Sequence, residues 1–142
     1  MKHVFILRNV SHESAGSLET YLAEAGVPPR YFDLFQETPC QLPLRDAAGL
    51  IVMGGPMSVD DVEQYPFLAS EVTWIQQAVA RQLPVLGICL GSQLLAKAMG
   101  GKVYPIEHLP TTAKGERKRR QRRGIITSRC NDFARSRWAL WA

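Results

Sequence analysis

No run in the 142-residue sequence approaches the roughly 18 apolar residues of a membrane span, and the chain enters an apolar strand pattern at Val4 with no secretory leader layout. These absences lead to the expectation of a cytoplasmic protein that meets no membrane. Cysteine is scarce: Cys40, Cys89 and Cys130 are odd in number, stand at unrelated spacings and form no C-x-x-C pair. That argues against a disulfide framework and against a thiolate zinc or redox motif, and neither metal nor cofactor is expected. Histidine is scarce too, with His3, His12 and His108 alone.

The remaining composition, 46% hydrophobic and 21% charged, is that of one globular domain able to bury an ordinary core. The net charge of +4 hides two unlike parts. Residues 1–106 carry 7 Lys/Arg against 10 Asp/Glu, net −3, whereas residues 107–142 carry 10 against 3, net +7. Lys114 to Arg123 is a charge run without apolar period, a pattern expected to be disordered.

Val4–Leu7 reads as a first, central strand, and Ser14 as the cap of a helix carrying Ala15, Leu18, Leu22 and Ala25. Gly26 and Pro28-Pro29 close that helix, Tyr31–Phe35 suits a second strand, and Leu50–Met53 a third that breaks at Gly54-Gly55-Pro56. Pro66 opens a helix whose apolar stripe is Leu68, Val72, Ile75 and Val79. Val85–Ile88, a helix from Leu90 to Met99, and a strand at Lys102–Tyr104 follow. Aliphatic strands alternating with helices predict a parallel sheet covered on both faces, with its ligand crevice at the carboxyl ends of the strands.

Two features converge on that crevice. Cys89 falls at the strand-to-helix turn of Gly87-Ile88-Cys89-Leu90-Gly91, with glycine two residues away on both sides, the layout of a nucleophile elbow. The N-terminus of the following helix favours negative charge on the sulfur. Attack on an amide would create an oxyanion, for which the N–H of Leu90 and one from the Gly54-Gly55 loop are the natural donors.

Met53-Gly54-Gly55-Pro56-Met57-Ser58-Val59, followed by Gly87-Ile88-Cys89-Leu90-Gly91-Ser92-Gln93-Leu94-Leu95-Ala96, resembles the class I glutamine amidotransferases. Among them it is most similar to stand-alone proteins related to the glutaminase domain of GMP synthase. The resemblance covers about residues 2–105. It implies a flavodoxin-like α/β sandwich with a mostly parallel sheet and helices on both faces, its C-terminal part truncated. It also implies that Cys89 is the nucleophile, that the N–H groups of Gly55 and Leu90 form the oxyanion hole, and that Gln93 helps to hold the substrate. That substrate would be glutamine, and the ammonia released would pass to a synthase partner.

The sequence departs from the family in one respect. The family's general base is a histidine in an H-x-E arrangement roughly 75 to 90 residues beyond the nucleophile. Here 53 residues follow Cys89, and their one histidine, His108, lies in Glu107-His108-Leu109-Pro110. The expected organisation is therefore an N-terminal amidotransferase portion at 1–105 and a basic, disordered tail at 106–142, read as a truncation or frame-shift product, with impaired activity. Two alternatives stand beside it: a related elbow-cysteine hydrolase acting on γ-glutamyl compounds or peptides, and a non-catalytic fragment whose basic tail binds nucleic acid. The basic run is only a weak nucleic-acid signal.

Overall fold

The computed structural model describes residues 1–104 in full, together with the backbone of two short strands at 125–126 and 139–141. In chain order the elements are β1 (His3–Arg8), α1 (Ser17–Glu24), β2 (Pro29–Asp33), a single 3-10 turn at Leu44–Asp46, β3 (Ala47–Val52), α2 (Phe67–Ala80), β4 (Val85–Gly87), α3 (Leu90–Ala98), β5 (Val103–Tyr104), β6 (Ile125–Ile126) and β7 (Ala139–Trp141). One sheet runs in the order β2-β1-β3-β4-β7, every pairing parallel, and β5 pairs with β6 antiparallel. Apart from β6 and β7, the expected tail at 106–142 lies outside the described residues, His108 and Cys130 included.

Parallel strands joined by helices bury both faces, so successive β1 side chains feed different cores. Phe5 and Leu7 point to one face, where Leu50, Val52, Leu68, Ile75, Leu90 and Leu94 join them under α2 and α3. Ile6 points to the other, with Ile51 and Met53, and there Leu18 and Leu22 of α1 cover the sheet. The flavodoxin-like α/β sandwich expected from the sequence is thus the architecture found, with β1 inside the sheet. Pro29, which lacks an N–H, opens the edge strand β2, where one side needs no ladder partner.

One local expectation is corrected. Ser14 does not cap α1; the helix starts at Ser17 after Gly16, whose φ is +53°. Ala15 is buried ahead of the helix, its N–H donating to the Tyr31 hydroxyl at 3.2 Å, so this tertiary tie holds the chain out of helical geometry where a cap looked available. In α2 the expected stripe packs on the core, Leu68 and Ile75 fully buried and Val72 and Val79 partly so, and Glu71, Trp74 and Ala78 are buried beside it.

Candidate functional site at the strand ends

The parallel strands all end on one side, and the turns after β1, β3 and β4 meet there. At the end of β4, Cys89 takes φ 53° and ψ −111° directly before α3. Positive φ is rare for a residue with a Cβ, and holding it costs about 1–3 kcal/mol that the surroundings must offset. The glycines allow it by close approach. A methyl group on Gly87 would lie 2.5 Å from the Gly91 carbonyl oxygen, and one on Gly91 would overlap the Val52 carbonyl oxygen. Strand β4, helix α3 and strand β3 therefore meet backbone to backbone, and the turn between them leaves Cys89 exposed. Its carbonyl accepts from the Ser92 hydroxyl at 2.6 Å and from the N–H groups of Ser92 and Gln93 at 3.0 and 3.3 Å, which locks the turn.

The turn after β3 brings Gly54 and Gly55 against this apex. A methyl group on Gly54 would sit 3.3 Å from Cys89 Cβ, and one on Gly55 would sit 3.3 Å from Leu90 Cδ2. Cys89, Leu90 and Gly55 are thus brought together, and Gln93 lies half-buried in the first turn of α3. Neither the Gly55 N–H nor the Leu90 N–H makes a backbone hydrogen bond among the described residues. First-turn helix donors have no intrahelical acceptor, so the Leu90 N–H is available by geometry. His3 sits at the opposite, N-terminal end of β1, and His12 is exposed in the β1–α1 loop.

Three polar residues of the site escaped the reading of the sequence. Asn9, buried just after β1, donates from Nδ2 to the Met53 carbonyl at 3.3 Å and so ties the turn that carries Gly54 and Gly55. Beside it Glu71 projects inward from α2, fully buried. Burial pushes the Glu71 carboxyl up to about 8; the neighbouring Asn9 amide favours the charged form, but among the described residues neither carboxyl oxygen has a hydrogen-bond partner. A glutamate on the apolar side of a helix was the available signal for that residue. Glu13, half-buried in the β1–α1 loop, extends its carboxylate to Gly54: Oε2 and Oε1 would lie 3.0 and 3.4 Å from a methyl group there.

Arg8 braces that loop. Its guanidinium forms two 2.7 Å hydrogen bonds with Asp33 and lies over the rings of Tyr31 and Phe35, and Nη1 donates to the carbonyls of Ser11 and Glu13 at 3.5 and 3.4 Å. The Arg8 hydrogen bonds hold the Asp33 carboxyl below the usual carboxylate range. Among the described residues no group of three His, Cys, Asp or Glu is arranged to hold a metal ion, and no helix is long and apolar enough to cross a membrane.

The family model described as glutamine amidotransferase class-I matches residues 11–138. The glutamine-hydrolyzing GMP synthase of Aliarcobacter butzleri is 32% identical over 111 residues, covering 76% of this chain and 20% of that protein. A glutamine amidotransferase from Methylobacillus flagellatus superposes with a TM-score of 0.68 at 39% identity, over 74% of this chain and 41% of that one. A glutamine amidotransferase from Thermotoga maritima gives 0.68 at 35% identity, over 73% and 45%. The chain thus spans less than half the length of these relatives.

Proposed function

The chain belongs to the class-I glutamine amidotransferase family, and from that premise we propose that its site attacks the side-chain amide of glutamine through Cys89. The observation that carries the proposal is the backbone of Cys89, held at φ 53° before α3 with its side chain exposed. Sγ bonds to the amide carbon, and the oxygen that gains charge lies between the N–H groups of Gly55 and Leu90. The carbon–nitrogen bond then breaks, nitrogen takes a proton and leaves as ammonia, and a γ-glutamyl thioester stays on Cys89. Water returns glutamate and the free thiol. Gln93 holds the substrate, and a synthase partner takes the ammonia. The cytoplasm is the proposed compartment, because a thiol nucleophile stays reduced there.

Departure of ammonia needs an acid, and hydrolysis of the thioester needs a base. The 142 residues contain no His-x-Glu. Turnover by this chain is therefore expected about four orders of magnitude or more below that of a complete triad. The test is ammonia release from glutamine by the purified chain, with Cys89→Ala as blank, alongside cysteine labelling by iodoacetamide. The expected result is release close to the blank, with Cys89 labelled before Cys40. Both cysteines are exposed, so access alone does not separate them. Equal labelling removes the elbow reading. Robust turnover that disappears in Cys89→Ala shows that another residue serves as base, His108 being the first to replace.

A further inference from the structure

Among the described residues, Glu13 is a carboxylate without a counter-charge beside Cys89. Its two oxygens and Cys89 Cβ all lie within 3.4 Å of the position a methyl group on Gly54 would take, so they face one another across that glycine. Among the described residues the Glu13 carboxylate has no hydrogen bond and no ion pair. Arg8, the cation tied to its loop, spends its guanidinium on Asp33 and on the loop carbonyls. The backbone on both sides of Glu13 is held, by Arg8 at the Ser11 and Glu13 carbonyls and by Tyr31 at the Ala15 N–H, so the carboxylate stands on a braced loop. A carboxylate in that position can pair with a cationic group of a ligand.

We propose that the Glu13 carboxylate receives the α-ammonium of free glutamine and so selects an unblocked amino acid over γ-glutamyl compounds whose α-nitrogen is acylated. This rests on Cys89 being the nucleophile, as proposed above. In extended glutamine the α-nitrogen lies about 5 Å from the amide carbon, and a carbon poised for attack lies about 3–3.5 Å from sulfur. Those lengths let a glutamine with its amide at Cys89 reach the nearby Glu13 carboxylate with its ammonium. The resulting charge-assisted contact orients the amide as well as holding it.

The test uses the full chain and two probes: a chloromethyl-ketone analogue of glutamine with its α-ammonium free, and the same compound N-acetylated. Alkylation of Cys89 is followed by mass, with iodoacetamide as a reference that carries no ammonium. The wild-type chain is expected to react about tenfold or more faster with the free-amino probe, as for a hydrogen bond to a charged group. Because removing an anion beside Cys89 also changes the reactivity of its thiol, each rate is divided by the iodoacetamide rate of the same chain, and Glu13→Gln is expected to bring the normalised free-amino and N-acetyl rates to equality. Equal wild-type rates with the two probes overturn the proposal whatever the variant does, and so does a preference that survives in Glu13→Gln. Labelling of Cys89 no faster than Cys40 by every reagent instead overturns the nucleophile assignment, and this proposal with it.

Discussion

Replacing Glu71 by glutamine removes a proton-binding group and leaves the shape of the side chain almost unchanged, so the effect isolates the charge. The carboxyl ordinarily titrates near 4.5, and burial in the fold pushes it up to about 8. Between those values the unfolded chain has released the proton while the folded chain keeps it. Stability must therefore fall as pH rises through this window, by about 1.4 kcal/mol for each pH unit, and level off above it. The glutamine variant has no such slope. From about pH 5 to about pH 7 the wild type should lose roughly 2–3 kcal/mol relative to Glu71→Gln. Urea unfolding of both chains, followed by tryptophan fluorescence with the buried Trp74 as reporter, measures the difference. Asp33 titrates in both chains and cancels. A constant difference across this range refutes the claim that Glu71 is held neutral inside the fold.

Gly91→Ala forces a methyl group into the Val52 carbonyl and must move α3 away from β3; a loss above about 3 kcal/mol is expected in thermal unfolding, and an unchanged melting temperature refutes the close-approach account. The Arg8–Asp33 pair works in the opposite pH direction from Glu71. Because Asp33 is held below its ordinary value of 3.8 in the fold, its stabilising effect is present above that value and lost as pH falls through the folded one. Asp33→Asn should cost about 1–2 kcal/mol at neutral pH and nothing in strong acid, and equal costs at both refute a charge-based role.

Local chemistry made the elbow legible. Gly87, Cys89 and Gly91 lie within five residues of one another, the turn they build is fixed by backbone sterics within that segment, and the strand and helix on either side announce themselves by period and composition. The order of strands and helices, and hence the parallel sheet with its crevice at the carboxyl ends, was readable for the same reason. Gly55 could be placed beside Leu90 because the sheet rule sends both turns to one end. Glu13, Asn9 and Glu71 were not readable as parts of that site. Each belongs to a different segment, and nothing in the neighbours of Glu13 along the chain says that its carboxylate will lie across Gly54 from Cys89. Only the pairing of β1 with β3 and of β3 with β4 decides that. The burial of Glu71 is decided by what packs around α2, not by its neighbours along the chain. The start of α1 follows from the tie of Ala15 to Tyr31, sixteen residues away. Backbone sterics act over a few residues and can be read along the chain, whereas burial and charge contacts depend on which segments meet, and that is settled only once the sheet has formed.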